Sequence, residues 1–166
     1  MLVSIITVAF NSEQTISKTI ESVLNQTYSN IEIICVNDGS TDNSLFILQE
    51  YAQKDTRFIV LKQKNKGAGV ARNLGLKHAK GEFILFFDSD DYMNINMLQE
   101  LYNQAVETQS DITICRSEYL NQKKKKNPIN FAIEKSIIND NLLITPLNLS
   151  KYIFQFCVGW PWDKLY

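Results

Sequence analysis

Short apolar runs alternate along this chain with longer stretches of 3.6-residue periodicity, and several of the runs stop abruptly at a polar cluster. Residues 2–8 are apolar and rich in β-branched side chains, which predicts a first strand. Beyond it Ile16, Ile20, Val23 and Leu24 recur at helical spacing, with Asn11 and Ser12 as candidate N-caps, so a helix is predicted over residues 13–26. Residues 31–36 predict a second strand that runs into Asn37-Asp38-Gly39-Ser40-Thr41-Asp42. Ser40 or Asp42 is placed there to cap a helix carrying Leu45, Leu48, Tyr51 and Ala52 on one face. Residues 58–61 predict a third strand, and a Gly-containing loop over residues 64–69 leads into a helix with Val70, Ala71, Leu74 and Ala79. The five apolar residues 83–87 predict a strand buried on both faces, and Asp88-Ser89-Asp90-Asp91 follows it directly. A helix carrying Ile95, Leu98, Leu101, Tyr102 and Ala105 and a fifth strand at 111–115 complete the regular part.

Four βα units in succession argue for an α/β fold: a mostly parallel sheet covered on both faces by helices. Beyond residue 117 the pattern fades. Lys123 to Lys126, followed by Asn127-Pro128, predicts an exposed turn or loop, the alternative being attraction to an anionic membrane surface or a lipid-linked substrate. Thr145-Pro146 offers an N-cap with proline at the first helical position, which predicts a short helix over residues 146–156. The closing Gly159-Trp160-Pro161-Trp162-Asp163-Lys164-Leu165-Tyr166 has no polar tail, which predicts a piece of something longer.

Composition narrows the function classes. The chain has 166 residues, 45% of them hydrophobic and 21% charged, with a formal net charge of −1. That balance suits one soluble globular domain and gives no reason to expect a nucleic-acid partner. Cys35, Cys115 and Cys157 are widely spaced among apolar residues and read as buried free thiols of a reducing compartment. The absence of a C-x-x-C pair and the single histidine, His78, argue against zinc. The apolar opening lacks a basic n-region, and no apolar run approaches the ~20 residues that span a bilayer, so a cytoplasmic protein is expected.

Candidate chemistry gathers at the strand ends. Three carboxylates within four positions, Asp88, Asp90 and Asp91, follow the fourth strand, where open α/β sheets place their ligands. Two such charges about 4 Å apart repel by about 4 kcal/mol at an effective dielectric of ~20, so a cation is a natural companion. Mg²⁺ takes one or two carboxylates together with substrate phosphates. The alternative is that Ser89, Asp90 and Asp91 cap the next helix. A dinucleotide fold would need G-x-G-x-x-G after the first strand, where the chain reads Ala9-Phe10-Asn11-Ser12. Gly67-Ala68-Gly69-Val70-Ala71-Arg72 begins like that fingerprint but ends in Arg72 and follows the third strand. No P-loop is present.

Four ordered motifs carry a family resemblance: residues 3–11, Val36-Asn37-Asp38-Gly39-Ser40-Thr41-Asp42, Gly69-Val70-Ala71-Arg72-Asn73-Leu74-Gly75 and Asp88-Ser89-Asp90-Asp91. Together they resemble the family 2 glycosyltransferases of the GT-A fold, and Trp162-Asp163-Lys164-Leu165-Tyr166 resembles a further motif of many bacterial members. The resemblance implies an inverting enzyme that moves a sugar from a nucleotide-diphosphate donor, usually UDP-linked, with Mg²⁺ or Mn²⁺. It implies a saccharide or lipid-linked acceptor, work in bacterial surface polysaccharide or lipopolysaccharide synthesis, and a place at the inner face of the cytoplasmic membrane. Residues 1–116 then correspond to the nucleotide-sugar-binding core and residues 117–166 to the start of an incomplete acceptor-side region.

Carried over by position, Val8 and Phe10 line the nucleobase pocket, with Phe10 where the family often has tyrosine and Val8 where it often has proline. Asp38 matches the acid that accepts the uracil imide N–H; cytosine lacks that donor, whereas guanine has it. Arg72 matches a basic residue near the nucleotide, and its guanidinium fork suits a phosphate. Asp88, Ser89 and Asp90 match the D-x-D motif, with Asp90 as direct metal ligand and Asp88 in a ribose or water-mediated contact to the metal. The general base is expected beyond Tyr166, and Asp163 does not match its position. Each residue also has a plainer use: Phe10 in core packing, Arg72 in a surface ion pair, Asp38 as a turn former before Gly39, and Trp160 and Trp162 packed on the sheet. A sugar-phosphate nucleotidyltransferase uses a related sheet but carries a Gly-rich basic loop after its first strand, which is missing here. A non-catalytic nucleotide-sugar-binding module is the third reading.

Overall fold

The apolar runs become strands and the periodic stretches become helices in a computed structural model, which describes residues 1–115 and the short paired strands at 118–119, 127–128 and 164–165. The order is β1 (Val3–Ala9), α1 (Ile16–Leu24), β2 (Ile31–Asp38), α2 (Ser44–Lys54), β3 (Phe58–Gln63), α3 (Ala68–His78), β4 (Phe83–Asp88) and α4 (Met97–Thr108). Four two-residue strands follow: β5 (Thr113–Ile114), β6 (Glu118–Tyr119), β7 (Asn127–Pro128) and β8 (Lys164–Leu165). The main sheet runs β3-β2-β1-β4-β8-β5, and β6 pairs only with β7. Strands β1 to β4 are mutually parallel, with Val3 opposite both Ile31 and Phe83. β8 is antiparallel to both β4 and β5.

Alternation along β1 and β2 sorts their side chains onto two faces. One face carries Val3, Ile5, Ile33, Leu85 and Phe87, closed by Ile16, Ile20 and Val23 of α1, Leu48 of α2, and Leu98 and Leu101 of α4. Each fully buried aliphatic side chain of this kind contributes about 1.5–3 kcal/mol. The opposite face carries Ile6, Ile34 and Val36 and receives Ala71 of α3. Small residues set that approach: a Cβ on Gly75 would lie 2.5 Å from Ile6 Cγ2. At the amino end of the sheet a buried carboxylate, Glu32, accepts from Ser4 Oγ (2.5 Å) and from the backbone of Lys80 (2.6 Å), which fixes the turn between α3 and β4.

Several elements depart from the sequence expectation. α1 starts at Ile16, because the amides of Thr15 and Ile16 close a turn on the Ser12 carbonyl and no side chain caps the helix. α2 has Asn43 at its N-cap position, while Asp42 Oδ1 takes the Ser44 amide at 2.9 Å and Ser40 turns back to β1. Val70 is 46% exposed, since the buried face of α3 is Ala71 and Gly75. Ile95 is exposed and precedes α4. β4 is not buried on both sides: Leu85 and Phe87 are, whereas Ile84 and Phe86 are only partly covered. The predicted fifth strand contracts to Thr113–Ile114 and pairs with β8 rather than with a parallel neighbour.

Cys35 is buried, and burial pushes its thiol well above the ordinary range, so it packs as a small apolar group. Among the described residues no helix is long and apolar enough to cross a membrane. The predicted helix over 146–156, the lysine run at 123–126, Cys157, Trp160 and Trp162 lie outside the described residues.

Candidate functional site

Parallel pairing brings the loops after β1, β2 and β4 to one edge of the sheet, the carboxyl edge. The first two are laced together. Asn11, at a left-handed φ of 50° that asparagine tolerates, donates its amide to Ser40 Oγ (3.1 Å) and accepts the Thr41 amide on Oδ1 (2.8 Å). The Ser12 amide reaches Ser44 Oγ (2.8 Å) and the Glu13 amide Asp42 Oδ2 (3.0 Å), while Glu13 Oε2 accepts the Asn43 amide in return (3.0 Å). Partial burial raises the Asp42 pKa, but the hydrogen bonds from Ser44 and from the Glu13 amide outweigh it and hold the carboxyl below its usual value.

Between these loops and the acids lies a cavity of about 490 Å³, lined by Val8, Phe10, Ser12, Arg72, Asp88, Ser89 and Asp90 among others. Six of the seven residues singled out from sequence thus share one wall. Phe10 is 47% exposed, which rules out core packing and leaves a ring face open at the cavity. Arg72 Nη2 donates to Asp88 Oδ1 at 2.8 Å, so the pairing lies inside the site and not elsewhere on the surface. Ser89, Asp90 and Asp91 do not cap α4, which begins six residues after Asp91, at Met97. Ser89 and Asp91 are partly covered, and the Asp90 side chain is exposed. A larger cavity of about 680 Å³ beside α3 shares Arg72 but is lined mainly by Val70, Leu76, Ile84 and Phe86. It holds no carboxylate, so the chemistry belongs to the smaller one.

Asp38 is placed differently. It is 2% exposed and does not line the cavity. Oδ1 accepts from Gln63 Nε2 (2.7 Å) and the Lys66 amide (2.9 Å), and Oδ2 from the Gly67 amide (3.0 Å). A carboxylate has about four acceptor positions, so one remains on Oδ2. Gln63 carries no motif signal in the sequence, and its place follows from register, as the partner of Asp38 across β2 and β3. Ser12 reads from sequence only as a cap. The structure leaves Ser12 Oγ buried with no hydrogen-bond partner among the described residues, in the cavity wall. His78 is exposed, with Nδ1 against the Leu74 carbonyl, and takes no part.

Two carboxylates, Asp88 and Asp90, are the oxygen donors this cavity edge offers from the acidic motif, a set that a cation could use only with ligands from elsewhere. No group of three or more candidate ligands occurs among the described residues. Asp88 and Asp90 supply two carboxylates, too few for a protein-only shell and in keeping with Mg²⁺ or Mn²⁺ arriving with phosphate oxygens.

Comparison with known proteins gives this arrangement a context. EpsH of Bacillus subtilis, named as a glycosyltransferase, is 45% identical over 165 residues, covering 99% of this chain and 46% of EpsH. The cholesterol galactosyltransferase of Borreliella burgdorferi is 38% identical over 98% of this chain and 47% of its own length. Among solved structures, S. aureus TarS 1-349 in complex with UDP-GlcNAc superposes with a TM-score of 0.75 at 29% identity, covering all of this chain and 45% of that 1-349 chain. The chain thus spans about half the length of these relatives. The family model described as glycosyl transferase family 2 matches residues 4–158. With the sheet, its acid-bearing edge and this match in agreement, the chain belongs to glycosyl transferase family 2.

Proposed function

We propose that this chain is the donor-binding part of a metal-dependent inverting glycosyltransferase that takes a nucleotide-diphosphate sugar, preferably UDP-linked. The observation that carries the reading is the cavity that Phe10, Arg72 and the motif carboxylates Asp88 and Asp90 line together, with Arg72 paired to Asp88. Phe10 and Val8 offer an apolar surface for a base, and a phenyl ring stacks on one without needing a polar partner. Arg72 turns from Asp88 toward a phosphate when the donor enters, and Ser12 Oγ supplies the hydrogen bond it otherwise lacks. Asp90, with Asp88 beside it, holds a divalent cation whose shell is completed by the diphosphate. When bound, that cation supplies Lewis-acid stabilisation of the departing diphosphate. Asp38, buried behind the cavity wall, serves the nucleotide by fixing the loop that opens α3.

In this reading residues 1–116 are the nucleotide-sugar core and residues 117–166 the start of the acceptor side. No residue here is assigned as the general base that inversion requires. The chain is expected to bind donor with little or no sugar transfer, to act for a saccharide or lipid-linked acceptor of a bacterial surface polymer, and to work at the inner face of the cytoplasmic membrane. The surface-polymer setting is supported by relatives such as the poly(ribitol-phosphate) beta-glucosyltransferase of Bacillus spizizenii, 40% identical over 83% of this chain. Titration calorimetry with UDP, with and without Mn²⁺, tests the core of it. Binding strengthened by Mn²⁺ is expected, with Asp90→Asn losing most of that gain; no binding in either condition would overturn the proposal.

A further inference from the structure

α1 faces the core with an unusual mixture. Alongside Ile16, Ile20 and Val23 it buries Thr19 (2% exposed) and Ser22 (5%), and just past its end Gln26 (7%). All three polar side chains reach one segment, residues 89–98, which carries the acids from β4 into α4, while Ser22 Oγ and Gln26 Nε2 also donate to the Thr19 and Ser22 carbonyls of α1. Thr19 Oγ1 lies 2.9 Å from the Ser89 carbonyl and 3.0 Å from that of Asp91, so one hydroxyl hydrogen is shared between the carbonyls of the residues before and after Asp90. Ser22 Oγ accepts the Met93 amide at 3.1 Å. Gln26 donates to the Asn94 carbonyl (2.7 Å) and accepts the Leu98 amide (3.0 Å), closing both ends of the stretch. Met93, 1% exposed, is wedged into the core between these ties.

Residues 89–96 form no helix or strand. Fixing each residue of such a segment costs about 1–2 kcal/mol of backbone entropy, a cost that binding would otherwise meet. A pair of carboxylates gains most when held in place beforehand by neighbours that never touch the ligand.

We propose that Thr19, Ser22 and Gln26 are positioning residues that hold the acidic loop in its cation-ready shape before any donor arrives, Thr19 setting the backbone on either side of Asp90. This rests on the nucleotide–cation reading of the site. The test uses the full chain with UDP, UDP plus Mn²⁺, and uridine as probes in calorimetry. Thr19→Val keeps the shape of the side chain and removes the hydroxyl. Its Mn²⁺-dependent gain in UDP affinity falls about 10-fold, the scale on which second-shell partners tune metal sites. Affinities for uridine and for UDP alone stay at the wild-type level, and Thr19→Ser restores the gain. An unchanged gain overturns the proposal, as does a parallel loss for all three probes, which would mark general loosening. Should wild-type affinity ignore Mn²⁺, the nucleotide–cation reading is what fails, and hydrogen exchange then decides the positioning claim. Thr19→Val and Ser22→Ala accelerate exchange at the Asp91 and Met93 amides while β1 stays protected; unchanged exchange there overturns it.

Discussion

Asp38 illustrates how a side chain that looks like a ligand contact from sequence is first a structural one. Its three hydrogen bonds come from β3 and from the loop that opens α3, and none is predictable from the Asp38-Gly39 dipeptide. Replacing it by asparagine swaps an acceptor for an NH₂ group aimed at N–H donors, leaving at least one of them unsatisfied in a buried place. Asp38→Asn is therefore expected to lose about 1–3 kcal/mol of stability, read as a lower urea midpoint, and to weaken UDP binding as the 63–67 loop loosens. Unchanged stability would show that water replaces the carboxylate there. Phe10, Arg72 and the two acids were readable as a motif, yet what they do depends on facts outside any motif: the exposure of the ring and the 2.8 Å pairing of Arg72 with Asp88. A serine before a helix reads as a cap, and only packing shows that the Ser12 hydroxyl has no partner among the described residues.

The elements were legible wherever burial follows periodicity. α1 and α4 emerge from their apolar spacing because each packs one well-defined face into the larger core, and β1 and β2 from their apolar runs because both their faces are covered. α3 follows its expected face at Ala71, Leu74 and Ala79 but not at Val70, because its fully buried contact with the sheet is made by Ala71 and Gly75, and small residues leave no clear hydrophobic stripe to read. That contact yields a sharp expectation. Gly75→Ala places a methyl carbon 2.5 Å from Ile6 Cγ2 and 3.4 Å from Val36 Cγ2, so α3 must lift or Ile6 must leave its rotamer. A cost of about 1–3 kcal/mol is expected in a urea melt. Because α3 also carries Arg72, a fall in UDP affinity should accompany it. The polar stripe on α1 was present in the sequence at the i, i+3, i+7 spacing of Thr19, Ser22 and Gln26, but its target, a loop about seventy residues away, was not.

Across the whole molecule two carboxylates at opposite ends of the sheet brace the loops around α2. Asp42 does so at the carboxyl edge, and at the amino edge the guanidinium of Arg57, 2.7 Å away, holds Asp55 below the usual carboxylate range. A carboxyl whose folded pKa is depressed contributes stability that is present above its unfolded value of 3.8 and is lost as pH falls through the folded one. Urea midpoints are thus expected to hold level from neutral pH to about 5 and to fall below about 4. Asp55→Asn should flatten part of that decline. The general plan, four parallel strands under helices, followed from the repeated βα pattern, whereas the place of β8 did not, because a two-residue strand has no periodicity. That place has a bearing on biogenesis. β8 sits between β4 and β5, although it follows them in the chain by more than forty residues. As the polypeptide leaves the ribosome, the first four strands can assemble while the rim of β4 still lacks its neighbour, and that rim stays bare until Leu165 has emerged. Nascent chains at this stage offer the amides and carbonyls of that rim to one another, so the interval before Leu165 is free to pair is where crowding on polysomes favours misassembly.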